Sequence, residues 1–582
     1  MSKGNKVITS SEIAEAIGKG FVGKLAGALA MPLLGLDKIN RYHERNCDYK
    51  GPEFAARILK DVGVSYNLPE NQLEYIPREG NFITVSNHAY GSIDGLLLCS
   101  IIGSKRPGYK LLTNFLLSRI PALKESFMPV NPYVNGEVKR SSFSGIRMAL
   151  EHIKSGNPAG FFPSGSVASD YGNHRIEEQP WADNIIKIIR NAAVPVVPVY
   201  FHGTNSGLFH RLGRIHPLLR SSRLPRERFN KRGSVVEVRI GKPVSPAELK
   251  GFDDVKSLGE YLRSRVYALE AQIEPHITDF PADKAKVHNI AGHVNTFDLN
   301  KEIESIQGLK LFSSSSFDCY LADSCDIPLL LKELGICREE TFRKNGEGTN
   351  QELDLDRYDS YFKHLILWDS EKSRIAGSYR LGIGEESYRH GGLSGFHTSS
   401  LVDYKEEFIP VLKESMELGR SFVASEYQGQ TLPLMLLFKG ILKSLEKYPE
   451  VKHLVGLVSI SQSFPKFYQS VIIEYLTRYH SSVKYKGMAS PTHPFAPDFL
   501  RMDADALLMK QTSAIDALDK LMMKISDNRY RIPPLVRKYI KCGAEVICIN
   551  IDYTFNDSLD ALIIQNVDEI PESELRFLSL PL

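Results

Sequence analysis

The stretch Val85-Ser86-Asn87-His88-Ala89-Tyr90-Gly91-Ser92-Ile93-Asp94-Gly95 decides how the first half of the chain is read. The β-prone run Phe82-Ile83-Thr84-Val85 before it predicts a short strand, and Leu96-Leu97-Leu98 after it resumes an apolar segment. A His and an Asp therefore fall in a strand-to-helix turn, where side chains reach a cleft. A neutral His takes a proton from a hydroxyl, and an Asp on its far nitrogen sets the tautomer and stabilises the imidazolium. The plainer reading is a loop His followed by an Asp that caps the next helix.

Working outward, the alternation of elements is that of an α/β domain. Phe143, Ile146, Leu150 and Ile153 recur at helical steps, and Ser155-Gly156-Asn157-Pro158 ends that helix. Gly160-Phe161-Phe162-Pro163-Ser164-Gly165-Ser166 reads as a strand stopping at a turn whose amides suit an oxygen-rich ligand. A helix over about Trp181–Asn191 leads to the run Val194-Pro195-Val196-Val197-Pro198-Val199-Tyr200-Phe201, a buried strand whose prolines limit its pairing. Val255, Leu258, Leu262, Val266, Leu269 and Ile273 close the unit with another helix.

At 582 residues the chain is too long for one ordinary core. No run of about 18 apolar residues is present, so no spanning helix is expected, and no signal peptide is read at the start. Seven cysteines without a CxxC pair, and without Cys/His spacing that suits zinc, read as reduced cytosolic thiols, with no metal expected. Charge is uneven. Residues 1–290 carry 39 Lys+Arg against 28 Asp+Glu, and the remainder 33 against 41. A basic first half points to an anionic lipid surface or an acidic carrier protein. Nucleic acid is not expected, because the basic run 201–250 has little aromatic interleaving and no binding motif. Within residues 1–50, Ile13, Ile17, Phe21, Leu25, Leu29 and Leu33 fall at steps of four with Lys19 and Lys24 between them, which fits an amphipathic helix at a membrane interface or one packed on the core.

In the second half, Phe317–Leu321 reads as a strand and a helix follows from about Ile327, with Gly335 as its stop. His364–Trp368 and Ile375–Leu381 form a hairpin across a charged turn. Asp354, Asp356 and Asp359 make an acidic cluster, which either binds a cation or basic amine or is a solvated loop. A strand from Met416 ends in the turn Gln428-Gly429-Gln430 ahead of the helix Leu432–Leu445, an arrangement that presents amides to a phosphate.

Four blocks of the first half resemble the glycerolipid acyltransferase superfamily of the lysophosphatidic-acid type: Ser86-Asn87-His88 with Asp94, the segment from Asn131 to Arg140, Phe162-Pro163-Ser164-Gly165, and Val194–Pro198 with Gly203-Thr204. The resemblance spans about residues 70–250. It implies His88 as general base on an acceptor hydroxyl, Asp94 as its orienting group, substrate contacts at Asn87, Arg140, Ser164 and Gly165, and a thioester donor. Two departures stand out. Five residues separate His88 from Asp94 where the family has four, and Ser164 stands where the family has an acceptor-linked Glu.

Residues 315–480 resemble the autoinducer-synthase-like branch of the GNAT fold, and within it the hemolysin-like N-acyltransferases that begin ornithine-lipid synthesis. The matching residues are Arg338 and Phe342; Asp354, Asp356 and Asp359; Tyr379-Arg380-Leu381; and Glu417 with Arg420. The resemblance implies Glu417 as base toward the amine, with Glu426 second. It implies that the Asp cluster or Arg380 holds the charged ends of the amino acid, and that the donor's pantetheine arm lies in an opening between two strands.

The expected fold class is thus α/β, an N-terminal glycerolipid acyltransferase-like domain followed by a C-terminal GNAT-like domain with a mixed sheet. The expected divisions are a membrane-proximal helical segment over 1–50, an O-acyltransferase domain over 51–275, a linker over 276–310 and an N-acyltransferase domain over 311–582. Together the resemblances imply a bifunctional synthase of the ornithine-lipid type, which N-acylates ornithine (or glycine or lysine) with a 3-hydroxyacyl group and then esterifies that 3-hydroxyl. Such an enzyme uses acyl carrier protein thioesters, needs no other cofactor, and works in the bacterial cytoplasm, peripheral on the inner membrane. Two alternatives are a lysophospholipid acyltransferase fused to an N-acyltransferase of other substrate, and a non-catalytic, membrane-binding hemolysin-like protein.

Overall fold

The structure, a computed structural model, describes residues 36–114, 120–130, 139–170, 175–215, 220, 223–224, 226–273 and 287–579. The amphipathic pattern over 11–35 lies outside them, and Leu36–Asn46 is helical. Contacts group the chain into two compact units: Met1–Glu274 with Leu500–Lys510 and Met523–Arg529, and Pro275–Phe499 with Gln511–Met522 and Tyr530–Leu582. The tail expected in the second domain thus lends two short segments to the first unit.

The first unit is built on a seven-stranded mixed sheet. Its strands are β1 (Ser65–Asn67), β2 (Ile83–Ser86), β3 (Lys110–Asn114), β4 (Phe127–Val130), β5 (Ala159–Phe161), β6 (Val196–Phe201) and β7 (Val235–Ile240), in the order β1-β7-β6-β2-β5-β3-β4. β2 lies at the centre, parallel to both β5 and β6, and is buried along its whole length. That burial explains why Ile83-Thr84-Val85 is continuous rather than alternating. Pro198 shapes β6 as expected: antiparallel pairing with β7 begins at Val199, just past the ring. Helix Ser92–Lys105 follows β2 and is buried on nearly every side, so it shows no polar stripe.

The second unit carries an eight-stranded sheet: β8 (Lys310–Ser314), β9 (Phe317–Ala322), β10 (Lys363–Asp369), β11 (Arg374–Ile383), β12 (Ser415–Val423), β13 (His453–Ile460), β14 (Glu545–Asp552) and β15 (Ser558–Asn566), in the order β8-β9-β10-β11-β12-β13-β15-β14. β12 and β13 are its one parallel pair, and they pair only from Ser415–His453 to Leu418–Gly456. Both run on, to Val423 and Ile460, so an opening forms between them.

Two expectations are corrected. The segment read as linker contains helix Thr296–Ser305, whose Leu299 and Ile303 join Tyr320, Leu330 and Trp368 in the core. Their period is helical but only about two turns long, too short to stand out in the sequence. Gly335 does not stop its helix, which runs from Pro328 to Lys344. A Cβ there would lie 2.8 Å from Leu355, so glycine serves a close approach of chain rather than a cap.

Candidate active sites

The His–Asp turn closes as a dyad. His88 Nδ1 lies 2.9 Å from Asp94 Oδ2, and the same oxygen accepts the backbone N–H groups of Tyr90 and Gly91, each at 2.9 Å. Asp94 is fully buried in the first turn of helix Ser92–Lys105. The fifth residue between His and Asp is absorbed at Gly91, with φ 95° and ψ −114°, a conformation that an L side chain rarely adopts. Phe162 stacks on the imidazole, ring centroids 4.2 Å apart. With Nδ1 on the carboxylate, Nε2 is left for a hydroxyl.

Behind this turn sits a carboxylate that the sequence did not single out. Glu178 is buried and accepts the backbone N–H of His88, Ser164 Oγ at 3.2 Å, Tyr267 OH at 3.0 Å and Trp181 Nε1 at 3.3 Å. Burial pushes its pKa up, against the opposing pull of these donors.

In the second unit, Glu417 lies on β12 beside the start of the strand opening. It is buried, and its two oxygens accept the backbone N–H groups of Thr398 at 2.8 Å and His397 at 3.2 Å. Burial raises its pKa to about 7, although the Thr398 amide and Arg380 oppose the shift. Burial, with Arg420 and Arg380 adding to it, keeps His397 neutral. An apolar cavity adjoins the last paired residues of the two strands, lined by Leu418, Gly456, Phe438, Ile441, Tyr539 and Ile563.

The acidic cluster is no solvated loop. Arg338 reaches Asp359 at 2.7 Å, Arg380 reaches Asp356 at 2.6 Å and Asp359 at 3.0 Å, and Arg420 reaches Asp354 at 3.1 Å and Asp356 at 3.4 Å. Three guanidinium groups thus meet three carboxylates inside the fold. Nε and Nη2 of Arg380 have no hydrogen-bond partner among the described residues. Burial opposes ionisation of Asp359, but Arg338 and Arg380 hold it below the usual carboxylate range. Removing one partner strands a buried charge, so Asp359→Ala should cost about 3–5 kcal/mol, read as a fall in the denaturant midpoint. Glu426→Ala should cost about 0–1 kcal/mol.

Residues 36–275 match the model of a family described as acyltransferase, and residues 337–438 match the acetyltransferase (GNAT) domain model. The chain joins an acyltransferase domain to a GNAT domain. It is an acyltransferase enzyme. Among curated proteins it is similar to a glycine N(alpha)-acyltransferase of Bacteroides thetaiotaomicron, 28% identical over 289 residues, covering 47% of this chain and 85% of that protein. A lyso-glycine lipid O-acyltransferase of the same organism is 26% identical over 259 residues, covering 43% of this chain and 91% of that protein. A glycine N(alpha)-acyltransferase of Phocaeicola vulgatus is 28% identical over 293 residues, covering 47% of this chain and 88% of that protein.

Several candidate contacts take other places. In the acyltransferase domain, both ends of the Asn87 amide are used by the backbone of Phe201, at 2.8 Å each, so Asn87 ties β2 to β6 instead of facing substrate. Ser164 spends its hydroxyl on Ser166 O and Glu178. Gly165 turns with φ 64° beside open space, compatible with an approaching ligand. Arg140 lies in the first turn of helix Lys139–Lys154, its side chain outside the described residues. In the GNAT domain, Phe342 packs on Phe555 in the core at 5.1 Å. Glu426 pairs with Arg374 at 2.5 Å on the surface, apart from the buried network. The sequence offered no signal for Glu178, which lies 90 residues from His88 in chain order.

Proposed function

We propose that this protein makes a two-chain aminolipid in two steps. The GNAT domain transfers a 3-hydroxyacyl group from an acyl carrier protein thioester to the α-amine of an amino acid. The acyltransferase domain then esterifies the 3-hydroxyl of that product from a second thioester. The observation that carries the reading is one chain holding two different bases, the His88–Asp94 dyad and the buried Glu417. A hydroxyl calls for a base of imidazole strength, and an α-ammonium with a pKa of about 8 must lose a proton before it attacks. In both Bacteroides thetaiotaomicron and Phocaeicola vulgatus, separately named proteins carry the N-acyl and O-acyl steps of the relatives.

In the first step Glu417 takes one ammonium proton, the nitrogen attacks the thioester carbonyl, and as the C–S bond breaks the nitrogen's second proton passes to the departing carrier thiolate. The N–H groups of Arg380 without a protein partner suit the amino acid's carboxylate. The strand opening suits the pantetheine arm. In the second step His88 Nε2 takes the hydroxyl proton as the oxygen attacks the second thioester carbonyl, Asp94 stabilises the imidazolium, and the C–S bond breaks as the leaving carrier thiolate takes that proton from His88.

The motif resemblance favours ornithine as the amino acid, whereas the named relatives favour glycine. One observation supports glycine: Asp354, Asp356 and Asp359 are each engaged by arginine, which leaves none of the three for a second ammonium. No helix among the described residues is long and apolar enough to cross a membrane. Peripheral attachment to the cytoplasmic face through the basic first half, and docking of the acidic carrier protein, belong to the same proposal.

Expression in a bacterium that lacks aminolipids, followed by mass spectrometry of extracted lipids, tests it. A new diacylated glycine, ornithine or lysine lipid is expected. If none forms while the protein is folded and abundant, the reading is wrong.

A further inference from the structure

Glu178 joins parts of the acyltransferase domain that are remote in sequence. One of its oxygens accepts both the backbone N–H of His88 and the hydroxyl of Ser164; the other accepts Tyr267 and Trp181. The turn that carries the base and the turn at Ser164-Gly165 therefore hang from one carboxylate oxygen. The chain leaves the turn anchored on its other side too, because the N–H of Ala168 donates to His88 O at 2.8 Å. No lysine or arginine forms an ion pair with Glu178 among the described residues. The charged and titratable groups around it are His88, Tyr267 and Arg501, with Arg263 stacked 4.7 Å above the Tyr267 ring. Arg501 is itself drawn to Glu270, at 3.7 Å.

We propose that Glu178 is a second carboxylate for His88, a positioning residue that fixes the His88 peptide and the Ser164 turn and whose charge stabilises the imidazolium formed in O-acylation. Asp94 acts in the plane of the ring at Nδ1. Glu178 acts from behind, through the backbone and, in the ionised form that its hydrogen-bond donors favour against burial, through the field of a charge that water screens little. The imidazolium exists only after the hydroxyl proton has moved, so this stabilisation is greater in the transition state than in the resting enzyme and shows in kcat more than in KM.

The inference rests on the O-acylation reading of this domain, and two measurements keep the two apart. The first is O-acylation of supplied N-(3-hydroxyacyl)glycine and N-(3-hydroxyacyl)ornithine by the full chain, for wild type, Glu178→Gln and Glu178→Asp. Glu178→Gln keeps the shape and loses the charge. It should lower kcat about tenfold with KM within about twofold. Glu178→Asp keeps the charge and should recover part of that kcat. The second is NMR of the His88 backbone N–H, which needs no turnover and should show its signal moved in Glu178→Gln, where the charged acceptor is lost. An unmoved His88 N–H signal in Glu178→Gln overturns the proposal, and so does a variant whose only defect is a lower melting temperature. If wild type does not O-acylate either acceptor but the His88 N–H signal moves, the positioning contact stands and the reading of the reaction falls.

Discussion

His88→Ala should stop the proposed pathway between its two products. In cells that express it, the diacyl aminolipid falls by about 10²–10⁴-fold, the range that one general base supplies, while the N-acyl lyso-lipid accumulates. The direction follows from the separation of the two bases. His88 belongs to a dyad on the turn after β2, and Glu417 sits on β12 of the other unit. The variant should remain folded, because His88 is partly exposed and its backbone contacts to Glu178 and Ala168 survive the truncation. Lipid mass spectrometry reads the ratio of lyso- to diacyl lipid directly. Undiminished diacyl product would remove His88 from the chemistry, and loss of both lipids with soluble protein would break the assumed order of the steps.

Glu417→Ala has the opposite pattern. Both lipids should disappear, and feeding the N-acyl lyso-lipid should restore the diacyl product, since in the proposed scheme the O-acyl step keeps its own base. The pH profile of wild-type N-acylation carries a second expectation. A base must be ionised to accept a proton, and burial raises Glu417 to about 7, so N-acylation should climb with pH through a limb near 7 rather than near 4.5. Above that limb Glu417 is ionised, and the rate levels until another group titrates. A limb near 4.5, or Glu417→Ala with wild-type N-acylation, would assign the proton to a different group. Truncation leaves the N–H groups of Thr398 and His397 without their acceptor, so the variant's melting temperature belongs beside its activity.

The α/β character of both halves was legible in the chain, because it depends on local patterns. The run at Ile83–Val85, the helical steps through Phe143–Ile153 and the hairpin across Asp369 all appear where periodicity put them. The His88–Asp94 pairing was legible as well, its members lying only six positions apart, but its geometry was not. Whether five intervening residues could close a 2.9 Å contact depended on Gly91 adopting a positive φ. Gly335 misled for the converse reason. A helix stop and a close approach of chain both call for glycine, and only the neighbour, Leu355, tells them apart.

The charged residues of the GNAT domain show the limit more sharply. Asp354, Asp356 and Asp359 looked available for a ligand because a sequence shows an acidic run without showing what faces it. Folding brings Arg338 from a helix, Arg380 from β11 and Arg420 from β12 onto them, and the cluster becomes a neutralised core. Glu417 is a carboxylate too, and has the opposite fate. It is left with two amides and an elevated pKa, and so is fit to take a proton.

By itself, then, the sequence determined two α/β domains, their order, and which residue types were available as bases, since these follow from short-range periodicity and from motifs a few residues long. The tertiary structure alone decided which charges are spent on one another, how the parallel strands β12 and β13 part beyond Gly456, and that Glu178 stands behind His88. Those are matters of long-range approach and burial, and a carboxylate's role is set by what surrounds it in space rather than by its neighbours along the chain.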